Sequence, residues 1–279
     1  VKSGKRVIAV SDMYLPSSVL KEILWAKGFD KIDSVHVSCE QKARKDCTRM
    51  GNYLNPDNSK FQRAVNSDIY VDKTGLIKYT NRVINTMQAY VCVSRPRRFG
   101  KSMAADMLTA YYSRGCDSRE LFAGLEIAKD ENFGGYLNKY DTVFLNVQEF
   151  LSRSSNVKEL LERVEGKVIR ELKKQYPDVE LYDENDLAET MQDIFAESEC
   201  LFIVIIDEWD CIFREFKHDK AAQEIYLDFL RDLLKDKEYI YLAYMTGILP
   251  IKKYGTHSAL NMFDEFSMID PGPLAEYVG

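Results

Sequence analysis

With 279 residues, the chain is long enough for one large domain or two small ones and can bury a sizeable core. Hydrophobic residues at 46% and charged residues at 29% mark a globular protein, and the net charge of -6 argues against a surface that coats nucleic acid throughout. The longest purely apolar run, about seven residues at 200–206, falls far short of the ~20 needed to cross a bilayer, so no membrane span is expected.

No charged-then-apolar leader opens the chain, so a signal peptide is not expected. The six cysteines (Cys39, Cys47, Cys92, Cys116, Cys200, Cys211) are scattered without a CxxC pair, and only three histidines accompany them. Several lie inside apolar, strand-like runs. They read as buried reduced thiols in preference to metal ligands or disulfides. The expected location is cytoplasmic.

In chain order, KRVIAV (residues 5–10) predicts a buried strand. Leu15-Pro16-Ser17-Ser18 opens a helix through Lys27, with Val19, Leu20, Ile23 and Leu24 on one face and Gly28 as its stop. Residues 35–38 predict a second strand, which completes a β-α-β piece too small to bury both its faces alone. A basic, polar stretch at 41–49 follows, and the character of the chain changes from Met50. The division expected is 1–49 and 50–279.

Asn55-Pro56-Asp57-Asn58 has turn chemistry. YVCV (90–93) predicts a short buried strand that runs directly into RPRRFGKS. A helix is expected at 103–113, with Met103, Met107, Leu108 and Tyr111 on one stripe. TVFLNV (142–147) predicts another strand. An amphipathic helix over 157–175 carries Val157, Leu160, Leu161, Val164, Val168 and Leu172 at 3/4 spacing, and a second lies near 186–197. LFIVII (201–206) is a fully apolar strand, followed by a helix over 221–234 and a strand over 239–244. Strands that are continuous apolar runs, alternating with helices, imply a parallel sheet covered on both faces.

The chemistry sits at strand ends. Gly-Lys-Ser between a strand and a helix is the context a phosphate loop requires, because loop N–H groups and the helix N-terminus point at the anion. Gly100 would allow close backbone approach, Lys101 would reach the β- and γ-phosphates, and the Ser102 hydroxyl would help hold Mg²⁺. The whole stretch Arg95, Pro96, Arg97, Arg98, Phe99, Gly100, Lys101, Ser102 and Met103 is the expected nucleotide-binding segment.

FIVIIDEWD (202–210) ends a buried strand on two acids. Asp207 would hold Mg²⁺ and Glu208 would orient or deprotonate the attacking water, although the pair could also simply begin a solvated loop. Thr246, at the end of the next strand, is the third expected catalytic position beside Glu208 and Lys101. In ATPases with a strand inserted between the loop strand and the acidic strand, a polar residue there senses the γ-phosphate.

Arg95, Arg97 and Arg98 could neutralise triphosphate charge, contact an acidic partner or nucleic-acid backbone, or form a solvated basic rim. His218 and His257 read as surface positions, and Trp209 as core packing in preference to stacking on a base. Arg214 and Arg231 are the candidates for a catalytic arginine.

These stretches carry a resemblance. MGNYLNPDNSKFQRAVNSDIYVDKTGLI (50–77), then SRPRRFGKSM, VIIDEWD and YMTGILPIKKYG, resemble the predicted AAA-ATPase-like family of bacteria, in which the phosphate loop is typically written RPRRFGKS. The resemblance covers 50–279. It implies an ATP-binding P-loop domain with a catalytic glutamate, in which Lys101 and Ser102 match the Walker A positions and Asp207 and Glu208 the Walker B. Members are often followed by a PD-(D/E)XK nuclease-like domain, and the chain stops at MIDPGPLAEYVG, before such a region. Residues 1–47 resemble a fragment of a haloacid dehalogenase-like hydrolase: VIAVSDMYLP is similar to its second motif, with Ser11 as the phosphate-binding hydroxyl. The motif with the nucleophilic aspartate is absent, so a non-catalytic fragment or fusion segment is expected.

The expectation is an α/β P-loop NTPase that uses ATP and Mg²⁺ and couples nucleotide state to a neighbouring domain or a protein partner. The alternative is a nucleotide-regulated binding module without turnover. The residues do not specify the partner, an oligomeric state or a role for nucleic acid.

Overall fold

The computed structural model describes residues 8–11, 27, 34–37, 51–251 and 259–277. The chain divides into two compact units, Val1–Arg49 and Met50–Gly279. In the first, strands β1 (Ile8–Ser11) and β2 (Ser34–Val37) pair in parallel, Ile8 opposite Ser34 and Ser11 opposite Val37. The helix expected at 15–27 lies outside the described residues apart from Lys27.

The second unit is built on five parallel strands: β3 (Tyr90–Ser94), β4 (Asp141–Asn146), β5 (Phe202–Asp207), β6 (Ile240–Gly247) and β7 (Asp264–Ser267). Their order is β4-β5-β6-β3-β7, so β6 separates the loop-bearing β3 from the acidic β5. The helices are α1 (Ser59–Val65), α2 (Gly75–Val83), α3 (Lys101–Tyr112), α4 (Arg119–Phe122), α5 (Phe133–Tyr136), α6 (Val147–Leu151), α7 (Val157–Gln175), α8 (Leu187–Ser198), α9 (Cys211–Glu215) and α10 (Lys220–Leu234). Helix α2 carries an amphipathic stripe, with Leu76, Ile77, Tyr79, Thr80 and Val83 buried, whereas short α1, α6 and α9 and strand β7 span too few residues for a pattern to be read from the sequence. They form because the sheet offers them surface to cover.

The strands are apolar throughout because both faces are covered. From β5, Ile203 and Ile205 pack with Leu76, Ala105, Leu108 and Tyr112 of α2 and α3 on one face. Phe202, Val204 and Ile206 face the other way, against Leu160, Val164, Val168 and Leu172 of α7, Met191 of α8 and Leu230 of α10. The 3/4-spaced stripe of α7 is buried in full, as its amphipathic pattern requires. Each fully buried Leu or Ile contributes roughly 1.5–3 kcal/mol, which makes this two-sided burial the main source of the sheet's rigidity.

The exposed edge of β4 is covered by the segment before α1. Asn55 N donates to Thr142 O at 2.8 Å, and Phe144 N to Tyr53 O at 2.8 Å. The turn itself is held from α7: the Glu171 carboxylate accepts from the backbone N–H groups of Asn52, Tyr53 and Leu54 at 3.0, 2.9 and 2.9 Å. Gly51 permits this approach, since a Cβ there would stand 2.3 Å from Glu171 Oε2. Among the described residues no helix is long and apolar enough to cross a membrane.

Candidate functional site

At the carboxyl edge of the sheet, one row of residues runs across four strands in register. Asn146 of β4 lies opposite Asp207 of β5, Asp207 opposite Thr246 of β6, and Thr246 opposite Val93 of β3. The chain leaves β3 through residues 95–100 and enters α3 at Lys101, so the loop hangs over this row. Gly100 is the N-cap of α3 with φ of 75°, a left-handed backbone that a side chain resists. Arg98 also turns left-handed, with φ of 70°.

Lys101 is 7% exposed, and its Nζ donates to the Pro96 carbonyl at 2.9 Å, across the width of the loop. Burial holds its ammonium below the usual lysine range, against the attraction of Glu208, Asp207 and Asp210. Lys73, from the YVDKT stretch, braces the loop from outside by donating to Phe99 O at 3.3 Å. Burial lowers its ammonium too, with Arg95 adding to the effect.

Asp207 is 1% exposed. Asn146 Nδ2 donates to its Oδ2 at 3.0 Å, and Glu208 N to its Oδ1 at 3.0 Å. Burial pushes its carboxyl up to about 6, opposed by a hydrogen bond from Ser102. The Glu208 backbone is left-handed, φ 56°, which turns its side chain back over the strand end. There its carboxylate pairs with Arg214 Nη2. Arg214 Nε also stands 3.1 Å from Asp210 Oδ2.

Arg97, Arg98, Gly100, Lys101, Ser102 and Met103 line one open cleft of about 660 Å³. Its opposite wall is made by Glu208, Arg214, Asn146 and Gln148. Asp207 lies beneath, joined to it through Ser102. The segment expected to bind nucleotide, the acidic pair and the helix N-terminus thus converge, although Lys101 and Glu208 are 107 positions apart in sequence.

Two residues stand differently from the expectation. The Arg95 side chain is 1% exposed and its Nη1 donates to the carbonyls of Ser94 and Phe266, both at 3.1 Å. It ties the loop's first residue to β7 instead of reaching into the cleft. Thr246 is 0% exposed, and its hydroxyl donates to Val93 O at 3.1 Å, within the sheet. Pro96 and Phe99 are exposed on the outer side of the loop and serve the site through their backbone carbonyls.

Trp209 is fully buried against Phe213, ring centroids 5.5 Å apart, a core position. His218 is exposed, and His257 lies outside the described residues. Cys92, Cys116 and Cys211 are buried free thiols, Cys200 is a free thiol only partly buried, and Cys39 and Cys47 lie outside the described residues. Asn146 and Gln148 at the cleft wall are not among the expected site residues, whereas Arg214, one of the two candidate arginines, does line the cleft. A polar residue directly after the apolar run Val143-Phe144-Leu145 was the available signal for Asn146, since it marks the carboxyl end of a parallel strand.

A parallel sheet in which β3 runs through a Gly-Lys-Ser loop into α3, with one strand inserted before the acidic β5, is a P-loop NTPase fold. A family profile described as "Predicted AAA-ATPase" matches residues 59–256. The chain belongs to that AAA-ATPase-like family. Among solved structures, C. elegans PCH-2 matches at 13% identity with a TM-score of 0.31, over 70% of this chain and 42% of that one. No curated protein matches.

Proposed function

We propose that the unit spanning 50–279 binds Mg-ATP at the β3–α3 loop and hydrolyses it, acting in the cytoplasm. The observation that carries this reading is the convergence of a left-handed Gly100, a buried Lys101 and the Asp207-Glu208 pair on one cleft, across an inserted strand. Loop N–H groups and the N-terminus of α3 would meet phosphate oxygens, and Lys101 would give up the Pro96 carbonyl for them.

The donor set fits a hard cation that asks for few protein ligands. Ser102 and Asp207 offer a hydroxyl and a carboxylate already hydrogen-bonded to each other. When bound there, Mg²⁺ supplies positive charge to the phosphate oxygens. Asn146, by donating to Asp207, keeps the carboxylate oriented.

In hydrolysis, Glu208 orients a water and takes its proton as the water oxygen bonds to the γ-phosphorus. The bond from that phosphorus to the bridging oxygen breaks, and ADP leaves with the electron pair. The Glu208 proton then passes to the phosphate. Arg97 and Arg98 stay at the cleft rim, where their charges favour an anion. The free energy would move a neighbouring domain or a protein partner.

One observation favours the second reading, a nucleotide-holding module without turnover: the Glu208 carboxylate is engaged by Arg214 and not free for water. Two measurements decide. A fluorescent ATP analogue should bind the wild type and lose at least tenfold in affinity on Lys101→Ala; equal binding sinks the site assignment. Steady-state phosphate release should fall by about 10² or more on Glu208→Gln; release absent from the wild type leaves the binding module.

A further inference from the structure

Arg214 belongs to α9, whose N-cap is Asp210, so it lies one helical turn beyond that residue and points back over 207–210. Its side chain is 14% exposed and lines the same cleft as Gly100, Lys101 and Ser102. Two carboxylates share it. Nη2 meets Glu208, while Nε lies 3.1 Å from Asp210 Oδ2 but is buried without an aligned hydrogen bond. A guanidinium carries five N–H donors in a rigid fork, and this one is incompletely used by the protein. Asp210 is fixed independently, since its Oδ2 accepts from Leu249 N at 3.0 Å just beyond β6.

Arg231, the other arginine considered for the site, is spent elsewhere. It lies on α10 and pairs with Asp228 and Asp232, at 43% side-chain exposure, and does not line the cleft.

We propose that Arg214 is the site's own γ-phosphate-sensing arginine: it holds Glu208 while no terminal phosphate is present and exchanges Glu208 for a γ-phosphate oxygen when ATP is bound. The exchange rests on the nucleotide reading given above. A terminal phosphate carries more charge than a carboxylate and matches the guanidinium fork, so it competes for Nη2 on favourable terms. Released, the Glu208 carboxylate becomes available to water, and Arg214 meets the charge that grows on the transferring group. One side chain thereby links the presence of the γ-phosphate to the freeing of the base. ADP, lacking that phosphate, leaves the Arg214–Glu208 pair closed.

The test is equilibrium titration of the full chain with methylanthraniloyl-ATP and methylanthraniloyl-ADP in Mg²⁺, for wild type, Arg214→Ala, Arg214→Lys and Lys101→Ala. The wild type should prefer the triphosphate by about tenfold, the effect of one charge-assisted contact. Arg214→Ala should bring that ratio close to one with the diphosphate affinity moved less than twofold, and Arg214→Lys should recover part of it. Single-turnover hydrolysis by Arg214→Ala should fall by about 10³. A ratio unchanged in Arg214→Ala, with hydrolysis equal to or faster than wild type, makes Arg214 a clamp on Glu208 alone and overturns the proposal. Binding of neither analogue, or binding unaffected by Lys101→Ala, overturns the nucleotide reading and this inference together. Far-UV circular dichroism reports whether Arg214→Ala folds; if it does not, loss of the ratio in folded Arg214→Lys supports the proposal and an unchanged ratio overturns it.

Discussion

Asn146 and Asp207 stand level at the carboxyl ends of β4 and β5, and Asn146 Nδ2 donates to Asp207 Oδ2 at 3.0 Å. The same asparagine caps α6, its Oδ1 accepting from Glu149 N at 3.0 Å. Asn146→Ala removes both bonds. The lost cap should lower stability by about 1 kcal/mol in thermal or urea melts. Asp207, left with one donor fewer, should hold Mg-nucleotide several-fold more weakly in titration. Asn146→Asp should be worse for stability at neutral pH, because it places two carboxylates side by side.

Asp106 of α3 is partly buried in a cleft it shares with Lys60 and Arg170, and burial pushes its carboxyl up to about 6 from an ordinary 3.8, with Lys60 acting against the rise. A carboxyl raised in the folded state holds its proton more tightly there than in the unfolded chain. Folding is therefore penalised once the pH passes the unfolded value, and the penalty is complete above about pH 6. Asp106→Asn should raise the urea midpoint at pH 8 by the equivalent of about 1–2 kcal/mol, after screening of the partly exposed side chain, and leave it unchanged near pH 3. A variant less stable than wild type at pH 8 would mean the carboxylate has a native partner.

Glu171 is predicted to be the main tie between α7 and the turn that covers β4. Glu171→Ala leaves three backbone N–H groups of residues 52–54 without their acceptor and should cost about 2 kcal/mol, with Glu171→Gln between the two. Hydrogen exchange should quicken at residues 52–55 before any change in the central strands.

Gly247 marks the closest approach in the site's scaffold. A Cβ there would stand 2.6 Å from Asp210 Oδ1 and 2.7 Å from Trp209 Cδ1 and Nε1. Gly247→Ala should destabilise by about 1–3 kcal/mol through overpacking. Because Asp210 pairs with Arg214, the substitution should also weaken nucleotide binding although it lies beneath the cleft. Unchanged melting would show that the Trp209 indole can move aside.

The strands and the long helices were legible because their patterns are local. LFIVII is apolar throughout since both faces are covered, and the α7 stripe at 3/4 spacing is buried residue by residue. The Gly-Lys-Ser loop between β3 and α3 was legible for a similar reason. Its glycine, lysine and serine are consecutive at one helix N-terminus, so a short stretch carries the whole signal. Asp207 and Glu208 followed from where an apolar run stops.

What each arginine of RPRRFGKS does could not be read in this way. Arg95 finds the Phe266 carbonyl 171 positions away on β7, a strand with no strong pattern of its own, and so turns inward while Arg97 and Arg98 face the cleft. Thr246 and Arg214 divide likewise. Both lie at strand ends or just past them, yet the sheet's hydrogen-bond ladder takes the threonine hydroxyl and the left-handed Glu208 brings its carboxylate to the arginine. The sequence by itself determined which residue types stand at the carboxyl edge, because strand burial and helix initiation are short-range requirements. Only the tertiary structure decided which of them face the cleft, because that depends on carbonyls and carboxylates supplied by distant strands.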